Sequence, residues 1–267
     1  MSRSIEQLVD QQVMRWMAER QIADRTPAHP SPSDGVARET QRPVICISRE
    51  CGALGGHLGR LVAERLGFGF YAQELVDEIA KQAHVRRKVV ESLDERRRTG
   101  VSKWIDELVT LGRFTPSDYM RNLSQVVLTL GRHGKSVIVG RGAFLILDPR
   151  LTFRVRCRAP LDWRVAGMAE RRAMPKPDAG AMVLRIDEER AEFYRDNFQI
   201  DVRSAEHFDL ILDTSAGSEK DSVDAIVDAF QARFGTPASG VRRRVVAGEE
   251  VVAGEEIAAK RVAAVVR

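Results

Sequence analysis

The chain has 267 residues, of which 43% are hydrophobic and 30% are charged. This size suits one α/β domain with additions or two small domains, and the composition is typical of a globular protein. The sequence contains no run of about 18 apolar residues, which argues against a membrane-spanning helix. The first residues lack the apolar segment of a secretion signal, so we expect a cytoplasmic protein that makes no membrane contact.

The net charge is +4, and the excess of basic residues is spread along the chain. Local basic groups occur at 86–88, 96–98 and 242–244, without interleaved aromatic residues. This pattern is compatible with an anionic ligand, but it is not typical of a dedicated nucleic-acid-binding protein. The three cysteines lack metal-ligand spacing, so we expect reduced thiols and no protein-built metal centre.

The two ends of the chain differ in composition from the middle. Apolar residues from Ile5 to Met17 recur at helical spacing and predict an amphipathic helix within residues 1–22. Four prolines and one glycine in Asp24–Pro43 predict a flexible linker over residues 23–42, so the helix could dock on its own domain or on a partner. Residues 236–267 contain the repeat VVAGEE twice and predict an appended, weakly structured tail.

Residues 43–235 alternate between strand and helix patterns, which predicts a parallel sheet covered by helices on both faces. The predicted strands are Val44–Ile47, Phe68–Tyr71, Ser136–Gly140, Leu151–Cys157 and Phe208–Leu212. The predicted helices are Leu58–Leu66, Pro160–Ala173, Ala179–Phe198 and Asp221–Phe234. Between the second and third strands, residues 72–133 read as a helical insertion with breaks at Thr99-Gly100 and Thr115-Pro116.

The first strand leads through a glycine turn into a helix, which aims backbone N–H groups and a helix N-terminus at a phosphate. The turn consists of Gly52, Ala53, Leu54, Gly55, Gly56 and His57. In the consensus G-x-x-x-x-G-K-[ST], Lys contacts the phosphates and a hydroxyl binds Mg²⁺. Here Arg49 begins the turn, Gly55 stands about where Lys would be, and His57 about where the hydroxyl would be. Alternatively, these glycines only permit close packing.

Ligands of such sheets bind at the carboxyl ends of the strands. This edge would bring together Arg49, the glycine turn, Tyr71, and the segments 140–142 and 213–215. We favour an anion-binding role for Arg141, between a buried strand and a glycine, and a local turn-capping role for Asp213. Cys51 lies in the glycine turn, and we expect it not to be catalytic.

Four motifs in chain order resemble the cytidylate kinase-like family, relatives of bacterial cytidylate kinases among the P-loop nucleoside monophosphate kinases. They are I47-S-R-E-x-G-x-x-G55, F70-Y71, V137-I-V-G-R-G142 and L212-D-T-S215. The resemblance implies a five-stranded parallel P-loop NTPase-like α/β fold with an NMP-binding helical insertion and a short lid. It also implies transfer of the ATP γ-phosphoryl group to CMP or dCMP, with ATP and Mg²⁺ as cofactors.

The resemblance also implies residue roles. Gly52–His57 would contact the ATP phosphates, and Arg141 would hold the phosphate of the monophosphate. Tyr71 matches a Phe-Tyr-Asp motif whose Asp is here Ala72, and Gly142 replaces the Asp of the family's Gly-Arg-Asp. Arg185, Asp187, Arg190 and Arg195 fall where the arginine and aspartate cluster of the lid would lie. We expect Arg49, Arg185 and Arg190 to be catalytic, and Tyr71, Arg141 and Asp187 to bind substrate.

Purely structural interpretations, without a role in binding or catalysis, remain open for several of these residues. The lid cluster could be a solvated helix face with pairs such as Asp187–Arg190, and reaching one ligand with both Arg185 and Arg190 would require a bend in the helix. His57 could be merely solvated. Two other functions also remain open: a nucleotide-binding regulator without turnover, which the loss of the loop Lys favours, and an RNA-associated protein, which rests on charge alone.

Overall fold

The computed structural model describes residues 5–25, 43–93, 95–112 and 117–235. In this part of the chain, five strands form one sheet: β1 Val44–Arg49, β2 Gly69–Tyr71, β3 Ser136–Val139, β4 Thr152–Arg158 and β5 Leu210–Asp213. Their order is β2-β3-β1-β4-β5, and each neighbouring pair is parallel. The predicted α/β class and the five-stranded parallel sheet are confirmed.

β1 lies at the centre because its residues can be buried on both faces. Val44 to Ser48 are all buried, and Ile47 is in register with Val139 of β3 and with Val155 of β4. A short run of β-branched residues is typical of such a strand. The carboxyl ends of β1, β3 and β4 therefore meet at one edge of the sheet.

Helices cover both faces of the sheet. They are α1 Ile5–Arg25, α2 Gly55–Leu66, α3 Gln73–Lys81, α4 Ala83–Glu91, α5 Glu95–Thr110, α6 Asp118–His133, α7 Ala143–Ile146, α8 Leu161–Arg172, α9 Lys176–Phe198 and α10 Glu219–Phe234. On one face, Leu58 of α2 and Phe230 of α10 pack against Ile45 and Ile47. On the other, Met120 of α6 belongs to a cluster with Cys46 and Ile138. The described residues include no helix long and apolar enough to cross a bilayer.

The insertion between β2 and β3 is helical, as the sequence indicates. The predicted break at Thr99-Gly100 is wrong, because both residues lie inside α5, where the Thr99 hydroxyl donates to the carbonyl of Glu95. The predicted break at Thr115-Pro116 lies outside the described residues. The helix after α8 begins at Lys176 rather than Ala179, since a proline in the first turn removes an N–H that has no helical partner.

α1 continues to Arg25, beyond the predicted end at residue 22. Val9 and Trp16 of this helix are buried, and the Trp16 ring stacks on His133 of α6 at 3.7 Å between ring centroids. Lys88 of α4 pairs with Asp10 at 3.0 Å. Most of the predicted linker and the whole predicted tail lie outside the described residues, so these boundaries stay predictions.

Candidate functional site

A cleft of about 650 Å³ lies at the carboxyl ends of β1 and β3, under helix α9. Its polar lining is dominated by arginines: Arg49, Arg141, Arg156, Arg164, Arg190 and Arg203. Carboxylates of Glu50, Glu74, Asp187, Glu188 and Glu189 also line it, together with the aromatic rings of Phe193 and Tyr194. β1, the turn after β3, β4 and the helices α8 and α9 each supply at least one of the six arginines.

The glycine turn lies beside this cleft and leads into α2. Leu54, at the position of the second consensus glycine, has the left-handed φ of +55° and precedes α2 without a side-chain cap. A β-carbon on Gly56 would meet nothing within 4 Å, so no side chain covers the first turn of α2 at this position. Gly52, with φ +86°, is packed instead, because its β-carbon would lie 2.9 Å from that of Arg164. Gly56 therefore leaves space beside the helix, whereas Gly52 permits close packing against Arg164.

His57 does not point at the glycine turn's N–H groups. Its Nε2 lies 2.5 Å from a carboxylate oxygen of Glu219 on α10, and both side chains are about half exposed. Asp213, at the end of β5, accepts hydrogen bonds from the N–H and the hydroxyl of Ser215. This local turn is the structural role that the sequence favours for Asp213.

Arg49, the last residue of β1, points away from α2. Its Nη2 donates to Oε1 of Gln73 at 2.8 Å, and a β-carbon on Gly140 would overlap with its guanidinium. Burial lowers the pKa of Arg49 to about 10, with further lowering by the charges of Arg190 and Arg141. Tyr194 and Glu74 act in the opposite direction on this pKa, but no carboxylate of the described residues lies within ion-pair distance of the guanidinium.

Arg141 follows β3 in the left-handed conformation, with φ +55°. Its Nε and Nη2 both donate to Oδ2 of Asp77, at 2.8 and 2.5 Å, and its guanidinium lies 5.2 Å from the centroid of the Phe193 ring. The other oxygen of Asp77 accepts a hydrogen bond from the Tyr119 hydroxyl at 2.9 Å. The insertion helices therefore orient Arg141 through a buried carboxylate.

Sequence reasoning missed Asp77, although a signal was present. Asp77 is a single acidic residue among the buried residues Val76, Ile79 and Ala80 of α3. A buried carboxylate needs a cationic or hydrogen-bonding partner, so an acid on this apolar face indicates a nearby arginine.

Asp187 of α9 joins the lid helix to the glycine turn. Its Oδ1 accepts a hydrogen bond from the backbone N–H of Cys51 at 2.6 Å, and its Oδ2 pairs with Nη1 of Arg164 at 2.5 Å. Arg164 also donates to the carbonyls of Cys51 and Ala159. Arg190, one turn further along α9, donates to the carbonyl of Arg49 at 3.4 Å. Burial raises the pKa of the Cys51 thiol, which makes it a poor nucleophile.

Two predicted site residues lie elsewhere. Arg185 does not line the cleft and instead pairs with the exposed side chain of Glu189. Since α9 is one uninterrupted helix, Arg185 and Arg190, five positions apart, lie on different faces of it. Tyr71 is 4% exposed and belongs to the hydrophobic core rather than the cleft lining. We therefore leave both residues out of the proposed site.

Sequence reasoning also missed Arg156, which lies in β4. Arg156 is 9% exposed, and its Nη1 donates to the Ser48 hydroxyl at 2.8 Å, while Nη2 lies 3.8 Å from Glu50. The alternation of Arg154, Arg156 and Arg158 in β4 is the signal that could have found it, since alternate residues share one face of a strand.

The inner part of the cleft holds more arginines than carboxylates. Five arginines, those of the lining other than Arg203, face Glu50, Glu74, Asp77 and Asp187, and three of these carboxylates make ion pairs with them. Glu188 and Glu189 also line the cleft, but they pair with the exposed arginines Arg185, Arg195 and Arg203. Burying like charges together is unfavourable unless an anion neutralises them. A planar guanidinium group donates two parallel hydrogen bonds to two oxygens of one phosphate, so a phosphate fits this lining.

The open helix N-terminus and the arginine cluster suit the phosphates of a nucleotide, which satisfies the donor chemistry expected for ATP. Among the described residues, no group of three or more His, Cys, Asp or Glu side chains is placed to hold a metal ion. A Mg²⁺ ion would therefore be held mainly by nucleotide oxygens, with Glu50 as a nearby carboxylate.

Among solved structures, the chain is similar to an uncharacterized protein from Eubacterium ventriosum, with 22% identity, a TM-score of 0.54, and coverage of 72% of this chain and 99% of that one. It also matches a shikimate kinase from Bacteroides thetaiotaomicron (16% identity, TM-score 0.39, coverage 72% and 98%) and one from Acinetobacter baumannii in complex with shikimate (15%, 0.39, 72% and 94%).

No curated protein matches the sequence. The model of the cytidylate kinase-like family, in contrast, matches residues 44–216, more than half of the 267-residue chain. This match contains the glycine turn, Arg141, the lid helix and all five strands of the sheet. With its strand order, its glycine turn and its arginine-lined cleft, the chain belongs to the cytidylate kinase-like family.

Proposed function

We propose that the protein is a nucleoside monophosphate kinase-like phosphotransferase that transfers the γ-phosphoryl group of ATP to CMP or dCMP. Family membership supports a kinase-like phosphotransferase, and the choice of CMP or dCMP follows the family resemblance. The observation that carries the proposal is the cluster of five arginines with only four carboxylates in the inner part of the cleft, beside the N-terminus of α2, which has no side-chain cap.

Phosphoryl transfer depends on positioning and on neutralising charge more than on covalent chemistry. In this proposal, the N–H groups of Gly55, Gly56 and His57 bind the donor phosphates, and Mg²⁺, when bound, would supply charge neutralisation there. Arg141, oriented by Asp77, binds the acceptor phosphate. Arg190 and Arg49 neutralise the charge on the transferred group. The helical insertion would be the NMP-binding domain, and α8 with α9 the lid.

Asp187 and Arg164 have a positioning role in this scheme. They fasten α9 to the glycine turn, so they place Arg190 above the end of β1. Cys51 beside this contact is 6% exposed, and burial of this kind strengthens electrostatic interactions.

A second function, a nucleotide-binding regulator without turnover, is favoured by one observation. The loop carries neither the Lys nor the Ser/Thr of the consensus, since Gly55 stands at the Lys position and no Ser or Thr follows it in Gly56-His57. Losing one preorganised charged donor costs about 3–4 kcal/mol of transition-state stabilisation by analogy with other enzymes.

The deciding experiment measures ADP release by the purified protein with ATP and Mg²⁺ and a panel of CMP, dCMP, UMP, AMP and GMP. Release that depends on CMP or dCMP and is lost in Arg141→Ala, with the variant shown to be folded at the assay temperature, supports the kinase. Release with another monophosphate would correct the substrate. No release with any of them, alongside measurable ATP binding, would favour the regulator.

A further inference from the structure

The glycine turn exchanges two residue types relative to the consensus. In G-x-x-x-x-G-K-[ST], the first position is Gly and the seventh is Lys. In this chain, Arg49 occupies the first position and Gly55 the seventh. The cation and the glycine have therefore changed places across one turn.

The structure shows why these two positions depend on each other. A β-carbon on Gly55 would lie 2.6 Å from the β-carbon of Arg49 and 3.3 Å from that of Cys157. The optimal separation of two non-bonded carbon atoms is about 3.5–4.0 Å. The β-carbon of Arg49 is held by the backbone of β1, so it cannot rotate away. A side chain at position 49 therefore excludes a side chain at position 55.

The exchange also moves the positive charge. A consensus Lys projects from the N-terminus of the helix toward the β- and γ-phosphates of the donor. The Arg49 guanidinium instead crosses to the end of β3, where Nη2 donates to Gln73 at 2.8 Å and the guanidinium covers Gly140. Gly140 directly precedes Arg141, so Arg49 lies on the side of the cleft proposed to bind the acceptor.

We propose that Arg49 performs the loop's cationic role from the acceptor side, binding the acceptor phosphate and the group in transfer rather than the donor's β-phosphate, and that Gly55 is required because it makes room for Arg49. This inference rests on the proposed function. It assigns Arg49 to a defined step and gives Gly55 a steric reason.

In the transfer step, an oxygen of the acceptor phosphate forms a bond to the γ-phosphorus. The bond from the γ-phosphorus to the bridging oxygen breaks, and its electron pair leaves with ADP. A dianionic acceptor phosphate needs no base, so Arg49 moves no proton. Its guanidinium supplies charge and two parallel N–H donors to the phosphate oxygens.

The first part of the test measures the steric exchange by thermal unfolding, without any ligand. We expect Gly55→Ala to lower the melting temperature by at least about 3 °C, since overpacking costs about 1–3 kcal/mol. Gly56→Ala is the matched control on the same helical turn, where the new methyl group meets open space. In an Arg49→Gly background, Gly55→Ala should cost less than a third of its effect in the wild type.

The second part measures where Arg49 acts, by calorimetric titration of CMP, of inorganic phosphate and of ATP. We expect Arg49→Gly to weaken CMP and phosphate binding at least about tenfold and to change ATP binding less than about threefold. Arg150→Gly is the control, because Arg150 is exposed and lies before β4, at the opposite edge of the sheet.

The outcomes separate this inference from the proposed function. If Arg49→Gly weakens ATP as much as CMP, or if Gly55→Ala costs the same in both backgrounds, the inference is wrong even where the enzyme turns over. Suppose that Arg49→Gly weakens CMP binding much more than ATP binding, but the wild type releases no ADP. The kinase proposal then fails and the placement of Arg49 stands. A wild type that binds neither CMP nor phosphate overturns the inference.

Discussion

The carboxylate of Asp187 accepts a hydrogen bond from the backbone N–H of Cys51 at 2.6 Å, across 136 residues of sequence. This bond joins the lid helix α9 to the glycine turn. The other oxygen of Asp187 pairs with Arg164, which is 8% exposed and also holds the carbonyl of Cys51. The ion pair of Asp187 with Arg164 thus holds the turn through both the backbone N–H and the carbonyl of Cys51.

We expect Asp187→Asn to lower the free energy of unfolding by about 1–3 kcal/mol. Asparagine can still accept from Cys51, but it leaves the positive charge of Arg164 poorly compensated in a buried position. Urea unfolding at neutral pH measures the effect, with Glu189→Gln on the exposed side of the same helix as the control. Equal stability of both variants would contradict the role given to this ion pair.

Gly142 stands where the family resemblance places an aspartate, and the structure gives a reason for the replacement. Gly142 has φ +67°, and a β-carbon there would overlap with the ring of Phe198. We therefore expect Gly142→Asp to destabilise the protein by at least about 2 kcal/mol.

A double-mutant cycle with Phe198→Ala checks this steric explanation. The cost of Gly142→Asp should fall when the ring is removed, because the β-carbon then has room, although the left-handed backbone still disfavours Asp. Additive effects of the two substitutions in urea unfolding would show that Phe198 is not the cause.

The two arginines of the lid helix predict opposite results in a binding experiment. Arg190 lines the cleft and contacts the carbonyl of Arg49, whereas Arg185 does not line it and pairs with the exposed side chain of Glu189. We expect Arg190→Ala to weaken CMP binding at least about tenfold and Arg185→Ala to change it less than about twofold. Equal losses in both variants would restore Arg185 to the site.

Asp209 provides a stability prediction that depends on pH. Although burial acts to raise it, the pKa of Asp209 lies below its ordinary value of 3.8, because Arg154 donates to it through side-chain and backbone hydrogen bonds. A depressed carboxyl pKa contributes stability that is present above pH 3.8 and is lost as the pH falls through the lower folded-state value.

We therefore expect Asp209→Asn to cost about 1–2 kcal/mol at pH 6 and progressively less below about pH 4. Unfolding by urea between pH 6 and pH 2.5 compares the variant with the wild type. A difference between the two proteins that stays constant over this range would mean that the ion pair of Asp209 with Arg154 does not supply the stability.

Much of the fold followed from local pattern. The apolar run at Val44, the glycine turn and the helical spacing to Leu66 predicted β1 and α2, because buried strands and amphipathic helices each impose a short-range periodicity. The strand ends shifted by one or two residues, as at Phe208, which precedes β5 instead of beginning it. Such boundaries depend on hydrogen bonds to neighbouring strands, which the local sequence does not contain.

The position of Arg141 after a strand and before a glycine also indicated an anion-binding residue. Its partner Asp77, and Tyr119, which donates to Asp77, lie 64 and 22 residues earlier in the chain, on two helices of the insertion, and no local pattern links them to Arg141. The hydrogen bonds from Arg141 to Asp77 exist only because the insertion folds back over the end of β3.

By itself, the sequence determined the class of fold, the place of the glycine turn and the absence of a loop lysine. The tertiary structure decided which arginines converge, because convergence depends on side-chain direction and on packing between distant elements. It placed Arg190 and Arg185 on different sides of one uninterrupted helix and placed Tyr71 in the core. It also showed that the β-carbon of Arg49 occupies the space that a side chain at Gly55 would need.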